Sequence, residues 1–149
     1  MGAHPYWYFV PYDSDVQRAL DALREREFSA GRYNPVVRLQ KFGAPELERF
    51  APAHPNIAEA VRCAAQSGEG TRSILDIDHV ADDREMGATA PLPEGEVIDI
   101  FDTSRPTREV VEARLEDVFD IIDRGECVYL CVYEGEEPSE LLFAGYSYD

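Results

Sequence analysis

Lysine is almost missing from this chain. Lys41 is the single one, and the other 13 basic residues are arginines. Against these 14 cations stand 30 carboxylates, which leaves a net charge of −16. The imbalance is local. Up to residue 50 acids and bases match at seven each, so the whole excess falls on 51–149. Such a field repels phosphate backbones, excludes sequence-independent nucleic-acid binding and favours cationic partners. The same composition also suits adaptation to a high-salt interior or an arginine-biased genome.

Cysteine is scarce as well, at Cys63, Cys127 and Cys131. The count is odd, and Cys127 and Cys131 stand on one side of a strand-like run too far apart for an easy disulfide. All three read as buried thiols in a reducing compartment. No apolar run approaches about 18 residues and no basic region precedes one, so neither a signal peptide nor a membrane span is expected, and a cytoplasmic location is. A Gly-rich dinucleotide fingerprint, a P-loop, a nucleophile elbow and a credible Cys-His pair are all missing, and no cofactor is expected. His4 and His54 sit beside prolines without partners at ligand spacing, which argues against zinc.

What is present is enough to build a fold. At 149 residues the chain suits one domain that buries a sizeable core. An aromatic strand is expected over 6–12, limited by Pro5 and Pro11. Ser14 with Gln17 reads as a capping box for a helix to about Phe28, and 29–35 as a loop. A short strand near 36–39 and a helical turn over 45–50 follow. Asn56 and Glu59 open the next helix, stopped by Gly68. Strands are then expected over 72–78 and 96–102, separated by a polar connection at 81–95. A helix should run from about Pro106 to Arg124, and a hairpin, 127–133 with 139–148, closes the chain. The order implies an α+β fold: a single domain (1–149) with a mixed sheet of about five strands, helices packed mainly on one face and a C-terminal β-hairpin.

Five carboxylates mark the 106–124 helix. Glu109, Glu112, Glu116, Asp120 and Asp123 follow one another every three or four residues and fall within roughly an 80° arc. The apolar stripe of Val111, Leu115, Val118 and Ile122 points elsewhere, so the ridge should face water or a partner. Like charges at this spacing each cost about 0.2–0.5 kcal/mol, and only Arg108 with Glu112 and Asp120 with Arg124 are placed to offset them. A face selected for solvation alone usually mixes both signs. A ridge of one sign suits a cluster of Arg or Lys on another protein.

Tyrosine supplies the second pattern. Tyr6, Tyr8 and Tyr12 share one side of the first strand, Tyr129 and Tyr133 a side of another, and Tyr146 and Tyr148 a side of the last. If these strands adjoin, one sheet face becomes a tyrosine platform for a peptide, a cation or a second copy of the chain. The same residues would equally serve as ordinary strand formers under a covering segment.

A third pattern lies at Asp76, Asp78 and His79, after a short apolar run. Asp76-x-Asp78 resembles the first motif of haloacid-dehalogenase-type phosphatases, which implies a nucleophilic first Asp and an acid in the second. The resemblance covers about seven residues, His79 and Val80 replace the usual small residues, and no lysine follows the motif. A looser metal-assisted hydrolase would join Asp76, Asp78 and His79 to Asp99 and Asp102 from the neighbouring expected strand. Gly68 to Ser73 reads as a tight turn, since the preceding helix C-terminus disfavours an anion there.

These patterns favour an acidic protein-binding domain of inhibitor or immunity type. It would engage a basic protein through Glu112, Glu116 and Asp120 and a sheet face carrying Tyr6, Tyr8, Tyr129, Tyr133, Tyr146 and Tyr148. Self-association through the tyrosine face is the other partner expected, and the metal-assisted hydrolase is the alternative function.

Overall fold

The computed structural model describes residues 3–34, 54–66 and 68–148. The strand expected near 36–39 and the turn over 45–50 lie outside the described residues. Along the chain run β1 (Pro5–Pro11), α1 (Val16–Ser29), α2 (Ile57–Gln66), a 3-10 turn (Ile74–Asp76), β2 (His79–Val80) and β3 (Ala88–Pro91). Then come α3 (Glu94–Phe101), α4 (Arg108–Ala113), α5 (Leu115–Phe119), β4 (Cys127–Glu134) and β5 (Glu137–Tyr146). The five strands form one sheet in the order β1-β5-β4-β3-β2. β2, β3 and β4 run parallel, while β5 is antiparallel to both β4 and β1. The α+β class, the mixed five-stranded sheet and the terminal hairpin therefore hold.

Both central strands read as near-continuous apolar runs because both of their faces are covered. On one face Tyr6, Val10, Cys127, Leu141 and Phe143 pack with Ala19, Leu20 and Leu23 of α1 and with Ile74 and Ile77 around the 3-10 turn. On the other, Val128, Leu130, Val132, Leu142 and Ala144 meet Val97, Ile100 and Phe101 of α3, Val111 of α4, and Val118 and Phe119 of α5. Three of the five described α-helices thus share one face. Phe143, Leu141 and Leu142 are fully buried, and each such side chain contributes about 1.5–3 kcal/mol. α2 adds a smaller cluster, Ala60 against Phe28, Tyr33 and Leu75.

Several local expectations need correction. The cap of α1 is Asp15, whose carboxylate accepts from the Arg18 N–H at 3.1 Å. Ser14 is displaced from that role because Gln17, its expected partner, accepts the Val80 N–H at 2.9 Å and ties the helix to β2. Asn56 caps α2 as expected, accepting from the Glu59 N–H at 2.9 Å, and Gly68 follows its end with φ +76°.

The strand expected over 72–78 is replaced by the 3-10 turn, because Ser73 caps it through the Leu75 N–H and Thr71 binds Asp76. β2 begins only at His79. The polar connection 81–95 contains β3, whose Ala88, Thr89 and Ala90 are too small to announce a strand but fit a position buried between β2 and β4. The strand expected over 96–102 is helix α3. Its buried residues Val97, Ile100 and Phe101 follow helical spacing, Pro93 precedes its first turn, and Asp102 ends it at φ +60°.

The expected 106–124 helix is two short ones. Neither Gly nor Pro marks the break. At Arg114 the backbone leaves helical geometry (φ −118°, ψ 18°), and its guanidinium donates to the Ile100 carbonyl in the last turn of α3. Tertiary packing against α3 overrides the local preference.

Candidate functional site

β1 is an edge strand, hydrogen-bonded only to β5 among the described residues. Its ladder runs through the even positions: Tyr12 donates to the Ser139 carbonyl and Ser147 to the His4 carbonyl. Backbone groups alternate along an antiparallel strand, so Pro5, Trp7, Phe9 and Pro11 turn theirs outward. Proline has no N–H to offer, and both prolines therefore fit the outward register without costing the ladder a bond. The outward donors are those of Trp7 and Phe9.

The side chains of Pro5, Trp7 and Phe9 lie on the face covered by α3, α4 and α5. Trp7 meets Phe119 edge-on at 6.0 Å between centroids, and Phe119 in turn meets Tyr146 at 5.2 Å. Trp7 nevertheless stays 48% exposed. A groove of about 590 Å³ opens over it, walled by Pro5, Phe119 and Leu115 and by the carboxylate-bearing Glu112 and Glu116. Two ridge residues thus share a concave surface with the only tryptophan of the chain. Glu112 accepts from Arg108 at 2.9 Å, and Arg108 also reaches Glu140 at 3.0 Å and stacks 4.2 Å over the Phe9 ring. Bonded to two acids, the Arg108 guanidinium is held above its ordinary pKa, chiefly by Glu112. Among the described residues Glu116 has no cationic partner.

The other expected site residues divide among separate places. Asp120 is exposed just past α5, and Asp123 lies beyond it in the turn to β4, so the ridge is not one helix face. Glu109 is exposed on α4. The tyrosines do not form one exposed platform. Tyr6, Tyr8 and Tyr129 do share a face, but α1 and the 3-10 turn cover it. Burial pushes the Tyr8 phenol up to about 12, and burial also raises the Tyr6 phenol well above its ordinary value. Tyr146 points to the opposite face, because a one-residue step along a strand reverses the side chain. Tyr133 sits at a bulge after Val132, where its N–H turns to the Pro106 carbonyl at 2.8 Å. Tyr12 and Tyr148 lie just outside the strands and are partly exposed.

The hydrolase residues are likewise dispersed. Asp76 accepts from both the N–H and the hydroxyl of Thr71, at 3.0 and 2.8 Å, and so closes a turn. His79 is exposed on β2, bonded through Nδ1 to Asp78 and through Nε2 to Glu85 at 3.0 Å; both carboxylates raise its pKa, Asp78 the more. Asp99 lies on α3, exposed, and Asp102 caps that helix. Among the described residues no group of three His, Cys, Asp or Glu is arranged to hold a metal ion, and no helix is long and apolar enough to cross a membrane. The three cysteines are free thiols, and burial pushes Cys127 up to about 12.

Trp7 is the residue that tyrosine periodicity passed over. Its signal was present in the spacing of Pro5 and Pro11, which share parity with it and mark the outward register of the strand. Comparison with protein-family models, curated proteins and solved structures yields no match to this chain.

Proposed function

We propose that this chain is a protein-binding domain, of inhibitor or immunity type, that engages a basic partner through the groove of Trp7, Glu112 and Glu116. One observation carries the reading: an exposed tryptophan and two carboxylates face the same concave surface at a sheet edge. An arginine or lysine entering there meets an aromatic face, worth about 0.5–1 kcal/mol at an exposed site, the carboxylate of Glu116 and that of Glu112, which it shares with Arg108. The net charge of −16 steers such a partner from a distance. Asp120, exposed just past α5 and outside the groove, adds to the negative charge of the chain around it. At the rim these charges set encounter rate and specificity more than depth of affinity.

The test is capture of basic proteins at low salt by wild type and by the Glu112→Lys/Glu116→Lys/Asp120→Lys variant, with a salt gradient for elution. The purified captured protein is then titrated against Trp7 emission. Retention by the wild type alone, with a Trp7 response, supports the reading. Equal retention by both proteins removes the groove from the account.

A further inference from the structure

We propose that the segment received at this groove is an extended strand of the basic partner, which adds to the open edge of β1 with an arginine or lysine opposite Trp7. The inference rests on the proposed function and specifies its binding mode.

Three features of β1 point to a strand as the occupant. The first is the edge itself, unpaired among the described residues, where Trp7 and Phe9 present outward N–H and C=O groups between two outward prolines. The second is that grooves flank this edge on both faces. One holds Trp7, Glu112 and Glu116; the other, about 290 Å³, lies between β1 and α1, with Val10, Ala19, Ala22 and Leu23 among its apolar walls and Asp13, Arg18 and Arg26 also lining it. A helix or a loop would fill one groove. A strand sends alternate side chains to opposite faces and fills both.

The third feature is charge, which fixes what the strand carries. A side chain opposite Trp7 stands on the face of Glu112 and Glu116 and meets them as a cation. Two residues on, the side chain opposite Phe9 meets Arg108, which already stacks on that ring and occupies Glu112 and Glu140, so a second cation finds the ring and those carboxylates taken. The next residue, opposite Val10, faces the apolar groove along α1 and should be valine-like. A second copy of this chain is the wrong occupant, because pairing two β1 edges brings two acidic grooves together. Neither Trp7 nor Phe9 has its outward groups bonded to another described segment.

The probe is the capped peptide Val-Thr-Ser-Arg-Ser-Thr-Val, palindromic so that either strand direction presents the same pattern. Trp7 emission reports binding, and amide hydrogen exchange reports pairing. Phe9→Pro deletes an outward donor without touching the β5 ladder, while Phe9→Leu loses the same ring and keeps the donor. Strand addition requires slowed exchange at Trp7 and Phe9, and binding to Phe9→Pro about threefold to tenfold weaker than to Phe9→Leu. Melting curves confirm that both variants fold. Glu112→Lys/Glu116→Lys should weaken the peptide most at low salt. If that variant loses binding while the two Phe9 variants bind alike, strand addition is overturned and the groove reading stands. Exchange already slow at Trp7 and Phe9 in the free protein shows the edge occupied and also overturns the proposal. No change in Trp7 emission at low-millimolar peptide overturns both.

Discussion

Gly145, the glycine within the described strands, has no room for a side chain, and replacing it with alanine tests the packing directly. A Cβ built there lies 2.6 Å from Tyr6 Oη, 2.7 Å from Tyr6 Cζ and 2.8 Å from the Glu126 carbonyl oxygen. Ordinary contacts between carbons fall at about 3.5–4.0 Å, so the new methyl overlaps two obstacles by several tenths of an ångström. Neither moves freely. The Tyr6 ring is buried against α1, and the Glu126 carbonyl accepts the Tyr146 N–H at 3.0 Å. Overpacking of this kind costs about 1–3 kcal/mol, and two rigid neighbours place Gly145→Ala at the upper end. For a chain of this size about 3 kcal/mol lowers Tm by about 6–12 °C, measurable by calorimetry. Tyr6→Phe in the same protein removes the nearest contact and leaves the other two, so it should restore less than half of the loss. Alone, Tyr6→Phe should be neutral or stabilising by up to about 1 kcal/mol, because the buried hydroxyl makes no hydrogen bond of ordinary geometry and has only the weakly bonding Cys127 thiol beside it. A Gly145→Ala protein melting within about 1 °C of wild type, or fully rescued by Tyr6→Phe, would refute the close approach.

Three further outcomes are expected. Asp76→Ala should lower stability by about 1–3 kcal/mol by stranding the Thr71 N–H, the hydroxyl keeping Ser73 as a partner, with urea unfolding as the measure; an unchanged midpoint would show that the turn does not depend on this carboxylate. His79 should titrate above 6.5 by NMR and return toward it in Asp78→Asn. Since its folded pKa is raised, the stabilisation is complete below about pH 6.5 and fades as pH rises through the folded value; a midpoint at or below 6.5 rules the ion pairs out. Cys127 should resist alkylation in the native protein at pH 8 and react once unfolded, as mass spectrometry of trapped peptides would show; rapid native labelling would contradict its burial.

The elements legible in the sequence are those whose local signals and tertiary roles agree. α1 carries its apolar spacing in plain form, though its cap falls one residue later than Ser14, at Asp15; α2 carries its cap and stop, and the terminal hairpin its two apolar runs around a polar turn. α3 was illegible because Val97, Ile98 and Ile100 favour strands by type, while the burial of Val97, Ile100 and Phe101 follows helical spacing. β3 was illegible for the opposite reason: Ala88 and Ala90 announce nothing, and only the narrow space between β2 and β4 selects them. The acidic ridge was legible as charge but not as shape, since the break at Arg114 depends on a carbonyl from α3. The groove needed one further step, from the parity of Pro5 and Pro11 to the outward register of Trp7, which side-chain periodicity alone does not supply.

The pairing of β1 with β5 has a consequence for how the molecule is made. Among the described strands the first pairs with the last, so the ladder side of β1 lacks its partner until β5 has been made. Long-range pairing of this kind is slow to form and leaves an aromatic strand open to wrong neighbours meanwhile. Pro5 and Pro11 limit that hazard on the outward side alone: a strand that joins there prematurely finds at most the two donors between them, while the even-numbered side stays open until β5 arrives.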